Sequence, residues 1–89
     1  MFLKRCTQKL QTLDGALNQQ DREILRATAH AFKGNAADVG ADALHATLNT
    51  LEQQALSESF ASLQSLFETA KQQVAEITQI FEQYLHQQS

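Results

Sequence analysis

Apolar residues recur along this chain at alternating steps of three and four, the spacing of one face of an α-helix and not of a strand. Leu3, Cys6, Leu10, Leu13 and Leu17 form the first stripe, with Lys4, Gln8, Gln11 and Asp14 between them. Gly15 lies off that stripe and weakens the helix without breaking its pattern. After the short polar run Asn18-Gln19-Gln20, Asp21 is placed to cap a second helix. The stripe of that helix is Leu25, Thr28, Ala29, Phe32, Ala36 and Val39, and Gly40 can take the left-handed conformation that follows a helix end. Leu44, Leu48, Leu51 and Ala55 mark a third helix, and Ser57 or Ser59 offers an N-cap to the next. Phe60, Leu63, Phe67, Ala70, Val74, Ile77, Phe81 and Tyr84 make the longest stripe, which predicts a core role for its phenylalanines and a water-facing hydroxyl for Tyr84.

Helices are thus expected at about 2–18, 21–39, 42–56 and 59–86, in one domain spanning 1–89. With short connections and no proline, the predicted class is all-α: an antiparallel up-down-up-down four-helix bundle. The last helix, at roughly 40 Å against roughly 28 Å for the second, should project at one end. A monomer is expected, with a dimer through that projecting helix as the alternative that heptad-like spacing allows.

Composition removes several functional classes. At 89 residues and 43% hydrophobic content the chain can build one modest core, and it has no apolar run long enough to span a bilayer, so it reads as soluble, without direct membrane contact. Ten acidic and seven basic residues, with no Lys/Arg cluster, argue against nucleic acid as a partner. Cys6 is the sole cysteine, which excludes an internal disulfide or a CxxC metal pair and fits a reducing compartment; it reads as a small buried hydrophobe. Lys4 and Arg5 are not followed by the apolar segment of a secretion signal. His45 and His86 fall outside metal-binding spacings and are read as surface residues, and no glycine-rich loop could hold ATP.

His30 changes the picture. On a helical wheel it points away from the Leu25–Phe32 stripe, and its neighbours on that outward side are Ala27, Gly34 and Ala37. A solvated face is usually filled with long polar side chains, and a glycine inside a helix costs about 1 kcal/mol relative to alanine. Here the face is bare around one imidazole, with Glu23, Arg26, Lys33 and Asp38 at its rim. Another molecule coming close to His30 would explain this; on pattern alone a solvated, functionless histidine explains it equally well.

The run Ala29-His30-Ala31-Phe32-Lys33-Gly34, followed by Val39-Gly40-Ala41, Leu44 and then Leu51-Glu52, closely resembles the histidine-containing phosphotransfer (HPt) domains of bacterial multistep phosphorelays. The resemblance covers nearly the whole chain. It implies that His30 accepts a phosphoryl group on Nε2 from a receiver-domain aspartyl phosphate and passes it to another receiver aspartate. The nucleophile is the neutral imidazole, a form that an exposed histidine supplies near neutral pH. By the same resemblance Lys33 stabilises charge on the phosphoryl oxygens, and Gly34, Ala27 and Ala37 give the receiver room, with Arg26 and Asp38 at the docking rim. The partner receiver would hold the Mg²⁺, and this domain would bind no cofactor. Two departures stand out. Such domains usually carry a short helix ahead of the bundle, and this sequence begins almost directly at Phe2, which looks like a domain cut from, or continuing from, something longer. Asp38 stands where the family tends to have a small or uncharged residue. The resemblance further suggests the C-terminal domain of a hybrid sensor histidine kinase, cytoplasmic and tethered to the inner membrane through that kinase. The alternative is a non-phosphorylated helical interaction module that uses the bare face, or the projecting last helix, only to bind.

Overall fold

A computed structural model describes the backbone over residues 2–88 and the side chains over residues 4–84. It contains α1 (Phe2–Asn18), α2 (Arg22–Asp38), α3 (Asp42–Gln54) and α4 (Phe60–Gln88), with no strand among the described residues. Each helix touches its neighbours in a ring: α1 packs on α2 and α4, and α3 packs on α2 and α4.

Two of the connections share one construction. At the end of α1, the Asp21 amide donates to Ala16 and the Gln20 amide to Leu17; at the end of α2, the Ala41 amide donates to Ala36 and the Gly40 amide to Ala37. Both are Schellman turns, which need a residue at positive φ. Gly40 supplies it at 72°, as its sequence position predicts, whereas Gln20 is forced there at 55°. Asp21 then caps α2 by accepting a hydrogen bond from the Ile24 amide at 3.1 Å. Ser59 caps α4, accepting from the Ser62 amide at 3.2 Å. Across the last connection, Arg22 donates to the carbonyls of Ala55 and Glu58.

The core holds Cys6, Leu13, Leu25, Phe32, Leu44, Leu48, Leu51 and Leu63, all essentially inaccessible. Four expectations fail at the helix ends. Val39 is 46% exposed because it is the C-cap of α2, where φ −107° and ψ 7° take it off the helical wheel. α3 stops at Gln54, short of residue 56, although Ala55 stays buried. Phe81 is 39% exposed, with Ile80 and Tyr84 more so, because α4 has 29 residues against 13 in α3 and its stripe runs on beyond the length of α3. His45 is half-buried, not on the open surface, and the side chain of His86 lies outside the described residues. Among the described residues no helix is long and apolar enough to cross a membrane.

Candidate functional site

α2 buries Leu25, Thr28, Ala29, Phe32 and Ala36, which leaves His30 on the opposite side with its side chain 67% exposed. α3 buries Leu44, Leu48 and Leu51, which sets Asn49 and Glu52 on the flank that meets α2. The contacts between the two helices step in opposite directions: residue 30 meets 52, and residue 33 meets 49.

Glu52 is the hub of this contact. Its Oε2 lies 2.8 Å from His30 Nδ1 and its Oε1 lies 2.6 Å from Lys33 Nζ. The Lys33 contact is a close ion pair without hydrogen-bond alignment; the aligned bond from Nζ goes to Asn49 Oδ1 at 3.0 Å. The Lys33 ammonium, more than any other group, holds the Glu52 carboxyl below the usual glutamate range; desolvation opposes it, and the His30 imidazole adds to the lowering. An ionised carboxylate only accepts, so the neutral His30 ring must carry its proton on Nδ1 and donate it to Glu52. Nε2 is left with its lone pair, on a ring open to solvent. That is the arrangement of a nucleophile oriented through its second nitrogen.

The other residues singled out in the sequence fall around this centre. Ala27, Gly34 and Ala37 are exposed, and a Cβ placed on Gly34 would meet nothing within 4 Å. Arg26 is turned towards Glu23, with Nη2 3.4 Å from Oε2. Asp38 is exposed at the end of α2, about 12 Å along the axis from His30. The structure therefore joins His30 and Lys33 through Glu52, pairs Arg26 with Glu23 and leaves Asp38 two turns away. Surface grooves lined by residues such as Ser65, Glu68 and Gln72, or Ala41, Gln73 and Ile80, do not include His30.

Sequence reasoning missed Asn49 altogether and saw Glu52 only as part of a motif. A usable signal was present, since Glu52 follows buried Leu51 and lies one turn after buried Leu48, at the edge of an apolar stripe where a carboxylate needs a partner.

No curated protein and no solved structure matches the chain. A family model does match it, that of the Hpt domain, over residues 1–87. With the match running across essentially the whole chain and an exposed, carboxylate-held histidine on its second helix, this protein belongs to the Hpt domain family, the histidine phosphotransfer modules of phosphorelays.

Proposed function

We propose that His30 is the phosphoacceptor through which this domain relays a phosphoryl group between receiver domains. The observation that supports this most is the 2.8 Å contact of Glu52 with His30 Nδ1. Nε2 attacks the phosphorus of a receiver aspartyl phosphate; the N–P bond forms as the P–O bond to the carboxylate breaks, and the aspartate leaves as its anion. Because Nδ1 already holds the single ring proton, no proton has to leave. The ring gains positive charge as Nε2 gives up its lone pair, and Glu52 stands where that charge develops. Run in reverse towards a second receiver, the same geometry discharges the phosphohistidine.

The bare patch at Ala27, Gly34 and Ala37 receives the receiver, with Arg26 and Asp38 towards its edges. The receiver brings the Mg²⁺ and the acidic pocket, and this domain holds no cofactor. The frame that carries the site is an up-down-up-down bundle with antiparallel neighbours, acting as a monomer.

Incubation with a phosphorylated receiver and Mg²⁺ tests the reading. The expected result is acid-labile, alkali-stable label on this protein, absent from His30→Gln. Normal labelling of His30→Gln would move the site elsewhere, and an unlabelled parent that still binds receivers would make the domain a docking module.

A further inference from the structure

Lys33 is one turn from His30, yet its ammonium is not directed at the exposed ring. Its side chain is 24% exposed against 67% for His30, and Nζ is occupied by two acceptors on α3, Glu52 Oε1 at 2.6 Å and Asn49 Oδ1 at 3.0 Å. Oε1 is itself shielded from solvent and makes no other bond. If Lys33 swung out to reach a phosphoryl group on Nε2, it would release both acceptors and strand a buried carboxylate oxygen, a costly exchange.

Glu52 needs holding. A glutamate side chain loses substantial rotamer freedom when fixed, and a single contact with an exposed imidazole is a weak anchor. Oε2 faces His30 because Oε1 is tied to Lys33, and Lys33 is kept at that height by Asn49, one turn before Glu52 on the same helix. The groups in contact with the carboxylate are thus His30 and Lys33 from α2, and Asn49 from α3 acts on it through Lys33.

We propose that Lys33 and Asn49 are positioning residues for Glu52, and that Lys33 acts on phosphoryl transfer through Glu52, not by touching the phosphoryl group. The proposal rests on the phosphoacceptor reading of His30 for its kinetic consequence, but not for its structural one. Lys33 and Asn49 fix the carboxylate, the carboxylate fixes the proton on Nδ1, and the proton leaves Nε2 free to attack.

The structural consequence is read without any receiver. In ¹⁵N-histidine-labelled protein above the titration of the ring, long-range ¹H–¹⁵N spectra should show the parent His30 as the Nδ1–H tautomer. Lys33→Met and Asn49→Ala should move it towards a mixture of both tautomers, and Lys33→Arg, which keeps charge and donors, should restore much of the parental signal. Circular dichroism establishes that each variant is folded, as expected for changes on a half-exposed helix contact. An unchanged tautomer in folded Lys33→Met overturns the proposal.

The kinetic consequence is read as a double-mutant cycle. Lys33→Met should slow phosphoryl acceptance about tenfold in the parent, and less than about twofold once Glu52→Ala has removed the group it positions. Equal factors in both backgrounds would mean that Lys33 acts on the phosphoryl group directly. If the parent accepts no phosphoryl group from any phosphorylated receiver, the phosphoacceptor reading falls, while the tautomer comparison still decides what Lys33 and Asn49 do.

Discussion

The guanidinium of Arg22 lies over the ring of Phe60, 4.2 Å from its centroid, and the same side chain donates to the carbonyls of Ala55 and Glu58 at 2.9 and 2.7 Å. One residue at the start of α2 thus closes the end of α3 and the start of α4. Ala55 is three residues beyond Glu52, so the clamp also bears on the height at which Glu52 meets His30.

Arg22→Met should therefore destabilise the fold by about 1–2 kcal/mol, the sum of charge-assisted bonds and a cation–π contact discounted for partial exposure. Urea denaturation measures this. Arg22→Lys should recover little, because a point ammonium cannot reach two carbonyls and stack on the ring at once. A variant as stable as the parent would show that the clamp is ornamental.

The two Schellman turns make opposite predictions at equivalent positions. Gln20 holds φ 55° at a cost that glycine avoids, so Gln20→Gly should raise stability by about 0.5–1 kcal/mol despite the added entropy of the unfolded chain. Gly40→Ala should lower it by about 1 kcal/mol, because φ 72° is unfavourable for any residue with a Cβ. Thermal midpoints of the two variants should move apart from the parent in opposite directions.

Which parts of this were legible in the sequence follows from the range of the forces involved. Helix existence came from stripes such as Leu44, Leu48 and Leu51, because burial is periodic and periodicity is local. The exposure of His30 was equally local, being fixed by the burial of Leu25 and Phe32 on the same helix. Val39 was misplaced because the stripe runs on in the sequence past the end of its own helix, and Phe81 because α4 is longer than the α3 it packs on. Glu52 was legible only as a carboxylate at the edge of an apolar stripe; its partners were not, since they depend on the register of α3 against α2, twenty-two residues away along the chain. Gln20 escaped notice for a different reason: the turn imposes its φ, and its residue type carries no signal of it.

Acid should loosen the hub with a definite sign. The folded Glu52 carboxyl titrates below its ordinary value of 4.5, chiefly because of Lys33. A depressed folded value contributes stability that is fully present above the unfolded value and is lost as pH falls through the folded one. The stability difference between the parent and Glu52→Gln should accordingly shrink on acidification below about pH 4.5. Glu68, depressed by Lys71 and then by Gln64, titrates in the same direction in both proteins and cancels in the difference. A difference that instead grew below about pH 4.5 would contradict the pairing of Glu52 with Lys33.

Gly34 should separate stability from function. It sits exposed in the middle of α2, one turn beyond His30, and a Cβ built on it meets nothing within 4 Å, so it is not there to let two helices approach. Replacing it removes the backbone-entropy cost of an interior glycine: Gly34→Ala should gain about 1 kcal/mol, and Gly34→Gln somewhat under that. The effect on transfer should run the other way and scale with size. A methyl group leaves the receiver space to approach, so Gly34→Ala should transfer within about twofold of the parent, whereas the glutamine side chain occupies the docking space. Since in-line transfer tolerates little displacement of the reacting atoms, Gly34→Gln should be slowed about tenfold or more. Thermal midpoint and transfer rate, measured on both variants, check the two halves independently. A stabilised Gly34→Gln that transfers as fast as the parent would place the receiver on another face of the bundle.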